Sequence, residues 1–165
     1  MTPELRQQLI DAMEAIFEGN AGRIEHAMTV LGHAETILEN EPGDPDVVVT
    51  VAILHDIGVM PALKSRGESN HQDQETDGPP MAREILESFG FDETPTQHVC
   101  DIIAHHHNGG MYTPEFNILW DADWLVNFPG HFGDATPTDR ANAIAKIFRT
   151  ETGTAIAREM FLPED

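Results

Sequence analysis

Four pairs of a helix-capping residue and a proline constrain the fold of this chain more than any other feature of its sequence. They are Thr2-Pro3, Asp44-Pro45, Thr94-Pro95 and Thr113-Pro114. Thr and Asp side chains accept hydrogen bonds from the free N–H groups of a first helical turn, and proline suits the first helical position because it has no N–H group to satisfy. Each pair therefore predicts the start of a helix, and strand signals are nearly absent.

Apolar residues at helical spacing follow the first pairs. A first helix is predicted up to Gly19, and a second one carries Ile24 to Leu38 and ends before Pro42-Gly43. The β-branched run of residues 47–54 would also suit a strand. Its capped start and its helical surroundings favour a fully buried helix instead.

The rest of the chain is predicted from its turn residues and apolar spacing. Residues 58–80 are polar and rich in turn residues, which predicts a long loop or lid. Helices are predicted over 81–89, 94–107, 113–128 and 138–150, with a loop at 129–137 and a last short helix after Gly153. We predict an all-α, single-domain helical bundle over residues 1–165, in which helices within 138–160 pack on a core of residues 20–128.

The charge balance is strongly acidic. Nine Lys and Arg residues against 29 Asp and Glu residues give a formal net charge of −20. Such a field repels nucleic acid and anionic lipid, so we expect a small phosphorylated substrate rather than a nucleic acid polymer or a membrane. We expect no apolar run long enough to span a bilayer and no signal segment, and a lone Cys100 indicates a cytoplasmic protein. A homo-oligomer is left open.

The dipeptide His55-Asp56 closes the buried run and is the strongest functional signal. A buried carboxylate without a partner costs several kcal/mol, so such a group is normally paired, neutralised or bound to a metal. Side chains of adjacent helical residues diverge by about 100°, so these two can converge only where the helix ends. Gly58 predicts that end. We therefore expect the pair to hold a divalent cation.

Other histidines and acids offer partners for this pair. His26 lies on a partly inward-facing stripe of the second helix, and His106 is the member of His105-His106-His107 that shares a stripe with apolar residues. Asp121 and Asp123 flank Ala122 on a later helix. Asp123 shares the apolar stripe there, so we expect it to be the better buried of the two carboxylates.

The order of these motifs resembles the HD-domain superfamily of metal-dependent phosphohydrolases. The resemblance covers Arg23-Ile24-Glu25-His26, Leu54-His55-Asp56-Ile57-Gly58, Gly78 to Leu86, Ile102 to His106 and Ala122-Asp123-Trp124-Leu125. It implies an HD-type all-α fold and a metal bound by His26, His55, Asp56 and Asp123. Two imidazoles and two carboxylates suit Mn²⁺, Fe²⁺, Co²⁺, Ni²⁺, Zn²⁺ or Mg²⁺.

The resemblance also implies a reaction. A divalent cation polarises a phosphoryl oxygen and lowers the pKa of a water molecule that it binds. We therefore expect hydrolysis of a small phosphomonoester or a nucleotide, with Asp56 at the centre of the reaction. His105 or His106 is expected to donate hydrogen bonds to the phosphoryl oxygens.

The chain departs from the family pattern at three positions. Val59 replaces a lysine that many members carry, which makes Lys64 and Arg66 the nearest candidates to bind the substrate. Trp124 stands where nucleotide-cleaving members often have a basic residue, and its indole could stack on a base or pack in the core.

The third departure concerns the number of ions. Gln74 replaces a histidine of the two-metal members, which favours one ion per chain, although His71 lies one helical turn earlier and could compensate. Two alternatives to a phosphohydrolase remain. The chain could be a non-catalytic, metal-bound sensor or ligand-binding domain, or a dinuclear iron oxygenase.

Overall fold

A computed structural model describes residues 1–163, and these form nine α-helices with no strand. The helices are α1 Pro3–Phe17, α2 Ala21–Leu38, α3 Pro45–Leu54, α4 Val59–Arg66, α5 His71–Ser88, α6 Glu93–Ile103, α7 Pro114–Phe132, α8 Pro137–Ile147 and α9 Glu151–Phe161. The prediction of an all-α fold is confirmed.

Side-chain caps start the helices where the cap and proline pairs predict them. Thr2 Oγ1 accepts a hydrogen bond from the N–H of Leu5 at 3.2 Å, and Asp44 Oδ1 accepts one from the N–H of Asp46 at 2.9 Å. Thr113 caps α7 in the same way. The fourth start is displaced, because α6 begins at Glu93, one residue before the predicted cap.

The prediction of a loop or lid over residues 58–80 is wrong, because α4 and the first ten residues of α5 occupy most of this segment. Asn70 and Asp73 form a capping box that starts α5. The helix then continues through Gly78 and two prolines, which each lack a backbone donor. Packing against α6 supports it there, since a Cβ atom on Gly78 would lie only 2.7 Å from Cγ2 of Ile103.

The C-terminal boundaries also differ from those predicted. α7 continues through Pro129 to Phe132, so the predicted loop at 129–137 shrinks to four residues. Thr136 rather than Thr138 caps α8. Gly153 does not interrupt the chain but lies in the first turn of α9, where its N–H donates to Oγ1 of Thr150 at 2.8 Å.

Helix α3 lies at the centre of the fold, and every residue from Val47 to Leu54 is buried. α2 packs against both α3 and α7, α5 packs against α6, and α8 and α9 pack against α7. Contrary to the expectation from sequence, the stretch Pro45–Arg66 is long and apolar enough to cross a membrane, with a mean hydropathy of 1.7. Of the most apolar 18 residues in this stretch, 83% are buried inside the protein, so its hydropathy is that of a buried core segment.

Candidate metal centre

A cleft of about 390 Å³ opens where α2, α5, α7 and the turns after α3 and α6 meet. Its lining is dominated by histidine, carboxylate and tryptophan side chains. The lining residues are Arg23, His26, Asp56, Ser69, His71, Gln74, His106, His107, Trp120, Asp123, Trp124, Asn127 and His131. Because this cleft gathers five histidines and two carboxylates, it is the candidate functional site.

The end of α3 places Asp56 in the lining of this cleft and buries His55 behind it, with His55 Nε2 3.3 Å from Nε2 of the lining residue His26. His55 is the C-cap residue and Asp56 lies in the turn that follows, so the two side chains can converge as predicted. The turn packs directly on α5 at Gly58. A Cβ atom there would lie 2.5 Å from both the carbonyl oxygen of Gln74 and the nitrogen of Gly78. Glycine is therefore required at this crossing.

A first group of three ligand atoms comes from His26, His55 and Asp123, whose ligand atoms all lie within 4.8 Å of one another. His26 Nε2 is 3.3 Å from His55 Nε2 and 3.1 Å from Asp123 Oδ1. His55 Nε2 is 3.8 Å from the same carboxylate oxygen. The structure thus brings together three of the four residues expected to bind a metal.

The fourth of these, Asp56, belongs to a second group with His106 and His107. Its Oδ1 is 3.5 Å from His106 Nε2 and 3.9 Å from His55 Nε2, and its Oδ2 is 3.6 Å from His26 Nε2. Asp56 therefore lies between the two groups and can serve either of them.

The histidine tautomers show that the cleft suits a cation. His55 Nδ1 lies 3.0 Å from the carbonyl oxygen of Ala52, and His106 Nδ1 lies 2.7 Å from that of Ile103. A carbonyl oxygen only accepts, so both Nδ1 atoms carry the proton and both neutral rings direct an Nε2 lone pair toward the carboxylates. Within residues 1–163, buried His106 Nε2 has no hydrogen-bond partner. Lone pairs and carboxylates that face one another need a cation between them, so these residues fit a divalent metal.

The pKa shifts follow the same logic. Burial opposes charge on His26 and His106, but nearby carboxylates outweigh it and raise both pKa values: Asp123, 3.1 Å away, acts on His26, and the charge of Asp56, 3.5 Å away, acts on His106. Burial lowers the pKa of His55. Burial opposes ionisation of Asp56 and Asp123, but the surrounding histidines hold both carboxyl pKa values below the ordinary value. Protons on His26 and His106 thus neutralise part of the carboxylate charge, which a bound metal ion would neutralise in full.

Asp121 and Asp123 have different surroundings, and the expectation that Asp123 is the better buried is wrong. Asp121 is 0% exposed, whereas the Asp123 side chain is 14% exposed and lines the cleft. The Asp121 carboxylate accepts hydrogen bonds from the N–H of Arg149 and from the N–H and Oγ1 of Thr150, at 2.7 to 2.8 Å. Asp121 therefore anchors the start of α9, and Asp123 faces the ligand groups.

Three of the predicted substrate or catalytic residues do not line the cleft. Lys64 forms an exposed ion pair with Glu18 at 2.7 Å, and Arg66 pairs with Asp73 at 2.6 Å. His105 directs Nδ1 at the carbonyl oxygen of Asp101, at 2.8 Å. These contacts turn the three side chains to other surfaces, whereas His106 lies in the cleft as predicted.

Arg23 is the cation that sequence reasoning missed. It is the one Lys or Arg among the residues that line the cleft over the described chain, and its Nη1 donates to Asp56 Oδ2 at 3.4 Å. The sequence offers only a weak signal for it: Arg23 precedes His26 by three residues and so shares its face of α2.

One side of the cleft is aromatic, and it combines the predicted Trp124 with His131, which was not predicted as a site residue. Trp124 lines the cleft as the predicted substrate contact requires, and its ring centroid is 5.3 Å from that of His131. His131 was missed because α7 was predicted to end at residue 128. On the opposite side, His71 stacks on His107 at 3.9 Å, and His107 Nε2 lies 2.8 Å from Gln74 Oε1. His71 is the first residue of α5, in the segment where a loop was predicted.

Comparison with known protein families identifies a family whose match includes the whole cleft. The family model described as HD domain matches residues 23–147, a stretch that contains every residue lining the cleft. No curated protein matches the chain.

Proposed function

Because the chain belongs to the HD domain family, we propose that it is a metal-dependent phosphohydrolase acting on a small phosphomonoester or nucleotide. The observation that carries the proposal is the convergence of imidazole lone pairs on carboxylates in one cleft. Six distances of 3.1 to 3.9 Å connect three Nε2 atoms and two carboxylates, which come from α2, α7, the end of α3 and the turns after α3 and α6. Such a set stabilises the fold only when a cation neutralises it.

We propose that His26, His55, Asp56 and Asp123 hold the principal ion. A bound divalent ion would polarise a phosphoryl oxygen and acidify a water molecule. The ligand rings are held by their own backbone, since His55 Nδ1 donates to the carbonyl oxygen of Ala52. This second contact fixes both the tautomer and the orientation of the ring.

Arg23 is proposed to bind the phosphoryl group. Its side chain is 35% exposed, so it can leave the 3.4 Å contact with Asp56 and donate to a phosphate oxygen at the mouth of the cleft. A guanidinium offers a planar pair of donors that matches two oxygens of a phosphate. In a chain with a net charge of −20, this local charge also offsets the repulsion that an anionic substrate meets.

His106 is proposed to assist at the phosphoryl group. Its raised pKa favours a protonated ring when Nε2 does not face a metal ion, and this ring would donate to a phosphoryl oxygen. His105 faces away, so we assign it no contact with the substrate.

A nucleotide fits the cleft better than a purely aliphatic phosphate ester. Trp124 and His131 form an aromatic wall at one side, and Asn127 lies between them on the same helix. An indole face stacks on a base, while an amide can donate to and accept from its edge. We therefore rank nucleoside monophosphates first among substrates.

The first test is the identity and number of metal ions in protein purified without chelator. Phosphate release is then measured with nucleoside monophosphates and p-nitrophenyl phosphate in added Mn²⁺, Mg²⁺, Co²⁺ or Ni²⁺. We expect His55→Ala and Asp56→Ala to lose both metal and activity. Asp11→Ala removes an exposed carboxylate of α1 and serves as the matched control, with both properties retained.

The result also separates the alternatives. Metal without phosphate release on any substrate would favour a metal-bound sensor. Two iron ions per chain without phosphate release would favour a dinuclear oxygenase, in which the group of Asp56, His106 and His107 holds the second ion. Full metal content in both ligand variants would refute the site assignment.

A further inference from the structure

Arg149 lies just beyond the segment that the HD domain family model matches, in the short link between α8 and α9. Its guanidinium reaches back to the turn after α6. Nη2 donates to the carbonyl oxygen of Gly109 at 3.0 Å, and Nη1 donates to that of Met111 at 2.7 Å. Its Cζ atom also lies 4.3 Å from the ring centroid of Trp120 on α7. One side chain thus joins two elements that carry cleft residues.

We name residues 104–109 the histidine turn, because they include His106 and His107. This turn carries two of the three residues of the second ligand group, whereas α7 carries Asp123 and both tryptophans of the cleft. Any movement between the histidine turn and α7 would change the distance between the two ligand groups. Arg149 contacts both elements at once.

The contact is tightly packed. Gly109 has φ +71°, and a Cβ atom there would lie 2.8 Å from Arg149 Nη2 and 3.1 Å from Trp120 Cη2. Trp120 is held from its other end, because its Nε1 donates to the carbonyl oxygen of Ile147 at 2.9 Å. The position of the indole in the cleft wall therefore depends on the link between α8 and α9.

We propose that Arg149 is a positioning residue for the cleft. Its guanidinium clamps the histidine turn to α7, which sets the spacing of the ligand groups and holds Trp120 in the cleft wall. The consequence for metal binding rests on the proposed function, whereas the clamp on Trp120 does not.

A lysine cannot replace this arginine. The planar guanidinium donates to two carbonyl oxygens and stacks on the indole at the same time, whereas an ammonium group is a point donor that stacks poorly. Arg149→Lys therefore keeps the charge and removes the clamp.

Arg140 provides the matched control. It also donates to backbone carbonyl oxygens, those of Phe132, Gly133 and Phe161, but it does not line the cleft within the described chain. Arg140→Lys should weaken the packing of the C-terminal helices to a similar degree. A difference between the two variants in the cleft therefore reports positioning rather than general stability.

Two measurements test the proposal. The two tryptophans of the chain both line the cleft, so acrylamide quenching of the metal-free protein reports their exposure. We expect stronger quenching in Arg149→Lys than in Arg140→Lys and the wild type. Co²⁺ titration, followed by visible absorption, should show an affinity about 10- to 100-fold lower in Arg149→Lys, the usual effect of removing support from metal ligands. Arg140→Lys should bind Co²⁺ like the wild type.

Each outcome decides one point. Unchanged quenching in Arg149→Lys overturns the clamp on Trp120. Wild-type Co²⁺ affinity in that variant overturns the inference that Arg149 sets the spacing of the ligand groups. Altered quenching in a protein whose wild type binds no Co²⁺ supports the clamp and refutes the proposed metal function. If Arg149→Lys does not fold, Gly109→Ala is the second variant. Its added Cβ atom would displace the Arg149 guanidinium and the Trp120 indole, so it must change both quenching and Co²⁺ affinity.

Discussion

The two aspartates of α7 give the sharpest prediction. They are two residues apart, and the same substitution to alanine should affect fold stability at Asp121 and metal binding at Asp123. Asp121→Ala should destabilise the fold and leave the metal in place. Asp123→Ala should remove the metal and leave the metal-free fold nearly as stable as the wild type. The pair shares the helix and the chemical change, so each variant is the control of the other.

The size of the Asp121 effect follows from its contacts. Its carboxylate satisfies two buried donors from Thr150 and one partly buried donor from Arg149. A buried donor left without a partner costs about 1–3 kcal/mol. Burial raises the pKa of Asp121 to about 6, so the charge itself is unfavourable there and offsets part of this loss. We expect a net loss of about 3 kcal/mol in the free energy of unfolding, which lowers the melting temperature by roughly 6–12 °C in a chain of this size.

The effect of Asp123→Ala on stability should be small. The variant loses a 3.1 Å contact with His26 and the 2.8 Å hydrogen bond that Asn127 Nδ2 donates to Asp123, but it also relieves the crowding of two carboxylates around one set of imidazoles. For a partly exposed pair, the net change in the free energy of unfolding should be about 1 kcal/mol or less. Metal content, in contrast, should fall to a small fraction of the wild-type value.

Two assays check the pair. Thermal unfolding is measured in the presence of chelator, so that metal binding does not contribute to stability. Metal content is then measured on protein purified without chelator. If Asp121→Ala loses the metal while Asp123→Ala keeps it, the fourth ligand is Asp121 and our interpretation of the cleft is wrong. Equal melting temperatures would show that Asp121 does not anchor α9.

Three further predictions concern the cleft and its supports. Arg23→Gln should lower kcat/KM about 10- to 100-fold in phosphate-release assays, as expected for the loss of one charged hydrogen bond, while Arg66→Gln should change it less than about twofold. Co²⁺ affinity, measured by titration, should fall as the pH drops through the raised pKa of His26, because the proton and the metal compete for the same ring. Gly58→Ala should lower the melting temperature and the metal affinity, because its Cβ atom meets the backbone of α5; Gly130→Ala, with open space around it, should be neutral or stabilising.

Helix starts could be predicted from the sequence because a cap is a local device. Thr2, Asp44 and Thr113 each bond an N–H within three residues, so no distant part of the chain is needed to place them. The failure at residues 58–80 has the opposite cause. Asn70 and Asp73 form an equally local capping box, but Gly78 and the two prolines predict a break. Packing on α6 overrides that local preference, and a single sequence does not show this packing.

The candidate metal ligands could be proposed from the sequence. The side chains that contact these ligands from other parts of the chain, such as Arg23, could not. His26, His55, Asp56 and His106 stand out as polar residues on apolar faces. Arg23 does not stand out, because a lysine or arginine at a helix surface is ordinary in any sequence. Only the distance between α2 and the turn after α3 shows that its guanidinium faces Asp56.

The burial of the two α7 aspartates shows the limit of periodicity most clearly. A stripe argument ranks positions around one helix, and by that ranking Asp123 should be buried and Asp121 should not. The ranking fails because α9 packs on the Asp121 side, where the start of that helix supplies donors for a fully buried carboxylate. Asp123 keeps partial exposure for the opposite reason, since it faces the cleft that we propose admits an ion and a substrate. In this fold the more deeply buried acid therefore supports the structure, and the less buried acid supports the proposed chemistry.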